Sequence, residues 1–204
     1  MLFREALRYM GVRGEPDEQT AALVLDCLDE VRKTATPRYV KKLFDYDGTS
    51  LVGGFELSGK SIKKFLTSCE KAVVMCATLG RGIDIAIKRY QTNSMARAAV
   101  FDACAAAYIE EYCDEISKTL ETDAAKKDFC TTRRFSPGYG DFPIQTQKDI
   151  LRILSAQRIG VALLDSYMLA PSKSVTAIVG YRRDKPDNKE KCAYCDNKNC
   201  KFRR

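Results

Sequence analysis

The 204-residue sequence contains no histidine. That absence excludes Ser–His–Asp and Cys–His catalysis, imidazole acid–base chemistry and every His-ligated metal site. Long apolar runs are missing too. No stretch approaches the roughly 20 apolar residues that a membrane-spanning helix needs, so no membrane role is expected. The first residues intersperse charges with apolar positions, which reads as an amphipathic helix and not as a signal peptide. An even spread of positive charge is also lacking. The formal net charge is +7, but residues 182–204 carry nine basic and four acidic side chains, leaving only +2 for the rest. A nearly neutral body with a basic tail argues against a phosphate-binding face and against nucleic acid as a partner.

Hydrophobic residues make up 45% and charged residues 30%, the balance of a globular domain able to bury a core without covalent staples. Nine cysteines, an odd number, sit mostly in apolar helical or strand patterns. They fit a reducing, cytoplasmic setting better than a disulfide framework.

Periodicity predicts helices over 3–10, 16–34, 58–69, 83–90, 94–120 and 147–155. In the second, Ala22, Leu25, Cys27, Leu28 and Val31 form the apolar stripe. The fifth is alanine-rich, with Ala96, Ala98, Ala99, Ala103, Ala105, Ala106 and Ala107 letting a neighbouring backbone approach closely. Strands are expected at 38–44, 71–78, 129–133, 159–164 and 174–181. Helices and strands do not alternate regularly, so the fold class is α+β. The expected body is 1–181, with a helical part to residue 70 and a sheet with a ligand loop over 71–181. A cysteine-bearing tail follows over 182–204.

Gly54 through Gly59, Lys60 and Ser61 match the phosphate-loop pattern G-x-x-x-x-G-K-[ST]. A buried strand should lead into such a loop, and a polar turn at 45–50 stands there instead. The apolar strand that follows ends without the aspartate that would support magnesium. The stretch reads as a helix start capped by Ser58, with Lys60 in solvent; a nucleotide-dependent phosphotransferase is the alternative it leaves.

The most unusual loop is Arg134, Phe135, Ser136, Pro137, Gly138, Tyr139 and Gly140. A proline, a glycine and an aromatic ring suit a small ligand lying against the chain, and an arginine at the entrance suits a carboxylate. The residues over 134–139 resemble the R-P-A-P-G-Y signature of the reactivation domain of cobalamin-dependent methionine synthase. Residues 159–175 are similar to that family's segment I-G-x-x-L-T-E-S-x-A-M-x-P-x-x-S-V, with Pro171, Ser174 and Val175 in register. The strong part of the resemblance covers 105–181, and the first hundred residues match loosely.

The resemblance implies a curved, mainly antiparallel sheet packed with helices. It also implies a chain that binds S-adenosylmethionine and docks on the cobalamin domain of methionine synthase or another corrinoid protein. There one electron from a flavodoxin- or ferredoxin-like donor, with the methyl group of S-adenosylmethionine, turns inactive cob(II)alamin into methylcobalamin. By the same resemblance Arg134 holds the ligand carboxylate, and backbone groups of Ser136 and Gly138 bond the amino-acid or adenosyl part. Tyr139 shapes the pocket near the methyl group, while Glu111 and Asp128 are the acidic positions facing the cobalamin. The family's aspartate for the ligand amine has Asp45 and Asp47 as candidates. The larger relatives continue past the last strand, where this chain has its tail.

That tail carries Cys192, Cys195 and Cys200 in the spacing C-x2-C-x4-C among lysines and arginines that favour thiolates. Such thiolates suit Zn²⁺ or an iron–sulfur cluster, with Cys130, a partner residue or a solution ligand as the fourth. A metal or redox adaptor acting through this tail is a further alternative.

Overall fold

The computed structural model describes residues 2–184. The chain opens with helices α1 (Leu2–Met10) and α2 (Glu18–Thr34), then enters strand β1 (Arg38–Asp45). A short helix α3 (Lys60–Phe65) precedes β2 (Cys69–Thr78), after which α4 (Gly82–Asn93) and α5 (Met95–Ala125) follow. Then come β3 (Cys130–Thr131), α6 (Gln147–Leu154), β4 (Ala162–Leu163), β5 (Leu169–Ala170) and β6 (Ser174–Arg182).

Four strands form an antiparallel sheet in the order β1-β2-β6-β3, and β4 pairs with β5 in a separate hairpin. The central strands read as unbroken apolar runs because both of their faces are covered. Val73, Met75, Ala77, Ala177 and Val179 pack against the helical layer that includes α2 and α5. Their neighbours Ala72, Val74, Cys76 and Ile178 face the second layer with Leu66, Ile150 and Phe142. Burial pushes the thiols of Cys76 and Cys104 up to about 12, and those of Cys27 and Cys69 up to about 11. These thiols stay protonated at neutral pH and act as small apolar side chains. The six described cysteines are free.

Helix α2 starts just past Pro16, as expected, with Asp17 as its cap: the Asp17 carboxylate accepts the Thr20 amide at 2.7 Å. Cys27, Leu28 and Val31 are buried as the stripe expects, but Val24 takes the core place expected of Leu25, which points outward at 58% exposure. Ser94 caps α5, accepting the Arg97 amide at 3.3 Å. The helix runs beyond the expected end at 120 because Ala124 reaches the core and Asp123 meets Lys41 of β1 at 2.8 Å.

Two expected strands shrink. Residues Ala156–Ile159 wind into a 3-10 turn, and the Val161 amide bonds back to the Ala156 carbonyl at 3.2 Å, leaving only β4 from the expected 159–164. The strand expected at 129–133 is regular only over β3, for a reason that matters to the loop beyond it.

Candidate functional site

The chain leaving β3 keeps to the edge of β6 but slips register. Thr131 pairs with Tyr181, while Phe135 pairs with Ile178, so four steps on one strand oppose three on the other. The extra residue is a bulge, a device that re-aims side chains at a sheet edge. Phe135 is pinned to Ile178 by two backbone hydrogen bonds of 2.9 and 2.8 Å. Its ring enters the second layer, 4.8 Å from the ring of Phe65 and 6.1 Å from that of Phe142. Arg134, just before it, reaches α5 instead. Gly180 lies opposite this segment, accepting the Thr132 amide at 2.9 Å. A Cβ there would lie 2.5 Å from Cys69 Sγ and 2.8 Å from Leu66 Cδ2, so only glycine lets the layers close.

The Arg134 guanidinium is not an open fork awaiting a ligand. Nη1 donates to Asp114 Oδ1 at 2.8 Å and to Ser117 Oγ at 3.0 Å, and Nη2 donates to Glu110 Oε2 at 2.9 Å. Its side chain is only 9% exposed. Burial alone would lower its pKa; Cys113, Glu110 and Asp114 outweigh burial and raise it above the usual arginine value. The loop's backbone is also engaged. The Gly138 amide donates to the Phe142 carbonyl at 2.8 Å, and the Ser136 carbonyl accepts the Tyr139 amide at 3.2 Å. The Gly138 amide and the Ser136 carbonyl thus close the turn on itself. Tyr139 is 59% exposed, with its ring edge-on to Phe135 at 6.2 Å.

The two acidic positions expected to face the cobalamin lie on α5 and just after it. Glu111 is half-buried on α5, and Asp128 is exposed in the turn after α5 with φ 59°. The carboxylates that meet Arg134 belong to Glu110 and Asp114. Their spacing of four places both on one face of the helix, a pattern visible in the sequence. Of the aspartates weighed for a ligand amine, Asp47 caps its own turn, accepting amides of Thr49 at 2.9 Å and Ser50 at 2.7 Å. Asp45 is ion-paired with Lys71.

The phosphate-loop match is filled from within the chain. Asp141 Oδ2 accepts the Lys60 amide at 2.7 Å, and its Oδ1 accepts the Ser61 amide at 2.8 Å. These are the amides a phosphate would need, so the motif is a docking point for the 134–140 loop and not a nucleotide cradle. Gly59 stands at the N-cap instead of Ser58 and offers no side-chain bond. Gly140 completes the joint. It adopts φ +56°, and a Cβ on it would lie 2.5 Å from Ser61 Oγ.

The Ser61 and Lys60 amides hold the Asp141 carboxyl below its usual range. A depressed folded pKa makes its contribution complete above the unfolded value, about 3.9, and lost as pH falls through the lower folded one. Asp141→Asn is therefore expected to lower the urea midpoint near pH 7, with the gap from the parent closing as the pH falls below the ordinary carboxylate range. A gap that does not change with pH would show that the charge has no part in the joint.

A groove of about 550 Å³ lies elsewhere, between α1, α4 and α5, lined among others by Tyr9, Met10, Ile87, Met95 and Ala99. Among the described residues no group of three or more His, Cys, Asp or Glu side chains is placed to hold a metal ion. Cys192, Cys195 and Cys200 lie outside the described residues. Cys130, offered as their fourth ligand, is half-buried on β3 opposite Arg182. No helix among the described residues is long and apolar enough to cross a membrane.

Antiparallel sheet, helical layer and edge loop together define an α+β fold of the kind found in the methionine synthase reactivation domain. The particular solved structure is that of the MetH reactivation domain bound to AdoHcy (S-adenosylhomocysteine). It is similar to this chain with a TM-score of 0.63 and 14% sequence identity, over 91% of this chain and 77% of that one. No protein-family model matches the sequence, and no curated protein sequence does.

Proposed function

We propose that this chain binds S-adenosylmethionine at the 134–140 loop and supports the reductive methylation of cob(II)alamin on methionine synthase or a related corrinoid methyltransferase. The observation that carries this reading is a loop with the signature residues Arg134, Gly138 and Tyr139, fixed to the sheet edge of a fold shared with a domain solved with AdoHcy. The donor set fits the amino-acid end of such a ligand: one buried cation for a carboxylate, with carboxylates beside it for an ammonium. Tyr139 lies exposed at the loop tip, available to a ligand or to a docked partner. The chain's part is to hold the methyl donor. The cobalamin, carried by the partner protein, supplies the metal that accepts the methyl group, and a flavodoxin- or ferredoxin-like protein supplies one electron.

The expected result is saturable binding of S-adenosylhomocysteine by calorimetric titration. With a corrinoid protein, a one-electron donor and S-adenosylmethionine, the Co(II) absorption spectrum should convert to that of methylcobalamin only when this chain is present. Absence of binding in the titration would overturn the reading. The cysteine tail belongs to the same proposal as a Zn²⁺ or iron–sulfur site, and iron, sulfide and zinc contents of anaerobically purified protein decide it.

A further inference from the structure

The guanidinium of Arg134 is split between two acidic side chains one helical turn apart on α5. One terminal nitrogen serves Asp114 and Ser117, and the other serves Glu110. A carboxylate gripped end-on by both terminal nitrogens has to displace Asp114 or Ser117, because those two take both hydrogens of Nη1. The two acids are not equally held in place. Asp114 is 64% exposed and Glu110 42%. Asp114 is thus the readier to leave, because water rehydrates it at once. Glu110 is the better embedded, lying close enough to Tyr9 of α1 to help raise the Tyr9 pKa, though burial is the larger cause there.

Charge sharpens the argument. Arg134 with two carboxylates carries a formal charge of −1. A ligand that brings only a carboxylate makes the cluster more negative and leaves Asp114 with nothing to pair with. A ligand that brings an ammonium beside its carboxylate keeps the balance, since each of its charges meets one half of the broken pair. A ligand with a sulfonium as well gains from the remaining negative charge.

We propose that the Arg134–Asp114 ion pair is a latch that opens by exchange. The ligand's α-carboxylate replaces Asp114 on Arg134, and the freed Asp114 takes the ligand's α-ammonium, while Glu110 stays on Arg134. Asp114 is then a specificity-determining residue that selects α-amino acids over plain carboxylates. The same pair keeps the buried guanidinium matched by charge when no ligand is present, so the loop is held in its bulged conformation before binding.

This inference rests on the ligand reading above, and one set of titrations separates the two. The full chain is titrated with S-adenosylhomocysteine and with 4-(5′-deoxyadenosylthio)butanoate, which keeps the carboxylate and lacks only the α-amino group. The parent is expected to prefer the amino acid by about tenfold or more, the loss typical of one charge-assisted contact. In Asp114→Asn that preference falls toward one, chiefly because the desamino compound binds more tightly once the latch no longer competes. If the variant keeps the parent's preference, with both ligands weakened or strengthened alike, Asp114 is merely structural and the latch is overturned. If the parent binds neither compound, the ligand reading itself fails, and the latch with it.

Discussion

Arg134→Ala protein is expected to lose S-adenosylhomocysteine binding by at least roughly 30-fold, equivalent to about 2 kcal/mol or more, the usual minimum for truncating one member of a buried charge pair. It should also be less stable, by about 1–3 kcal/mol. Removing one side of a fully buried pair costs more than this. Here the abandoned partners, Glu110 and Asp114, are 42% and 64% exposed and regain water, which trims the penalty. Arg134→Lys sharpens the test. Lysine keeps the charge but cannot serve two carboxylates and a hydroxyl from a flat fork, so both its stability and its affinity should lie between those of the parent and the alanine variant. Calorimetric titration gives the affinities and urea unfolding gives the stabilities. An alanine variant that binds like the parent would remove Arg134 from the site.

The parts of this molecule that were legible in the sequence are those decided by local pattern. The strands β2 and β6 were visible as apolar runs flanked by turn residues, and α5 by its alanines and its cap at Ser94. The 134–140 loop was visible because its proline, glycines and aromatic ring cluster between regular elements. What stayed hidden is non-local. The bulge that turns Arg134 toward α5 exists only as a mismatch of register between two strands about fifty residues apart. Asp141 fills the phosphate-like turn from 80 residues away, at Ser61. The sequence shows a perfect phosphate-loop spelling there and nothing to say that its amides are already spent. That Glu110, and not its neighbour Glu111, meets Arg134 is hidden for the same reason. Neighbouring acids on a helix differ by about 100° in direction, and only the packing of the edge strand shows which one faces it.

The bulge depends on an anchor, and that anchor sets the other large expectation. Phe135→Ala should destabilise the fold by about 3–5 kcal/mol, the range for removing a buried aromatic side chain. The ring is 6% exposed and lies among Phe65, Phe142 and Tyr139, so its loss opens a cavity bounded by rings that cannot easily collapse into it. Phe135→Leu fills most of that volume and should cost about 1 kcal/mol. Ligand affinity should follow the same order although Phe135 carries no charge and meets no ligand carboxylate. Its ring holds one side of the bulge, and Arg134 on the other side is aimed only while that bulge keeps its shape. Urea unfolding and titration with S-adenosylhomocysteine, run on both variants under conditions where each remains folded, measure the two effects together. If the alanine variant loses stability but binds like the parent, Arg134 is held by α5 alone. If affinity falls about tenfold with Glu110, Asp114 and Ser117 untouched, the buried ring positions the guanidinium from the opposite face of the sheet.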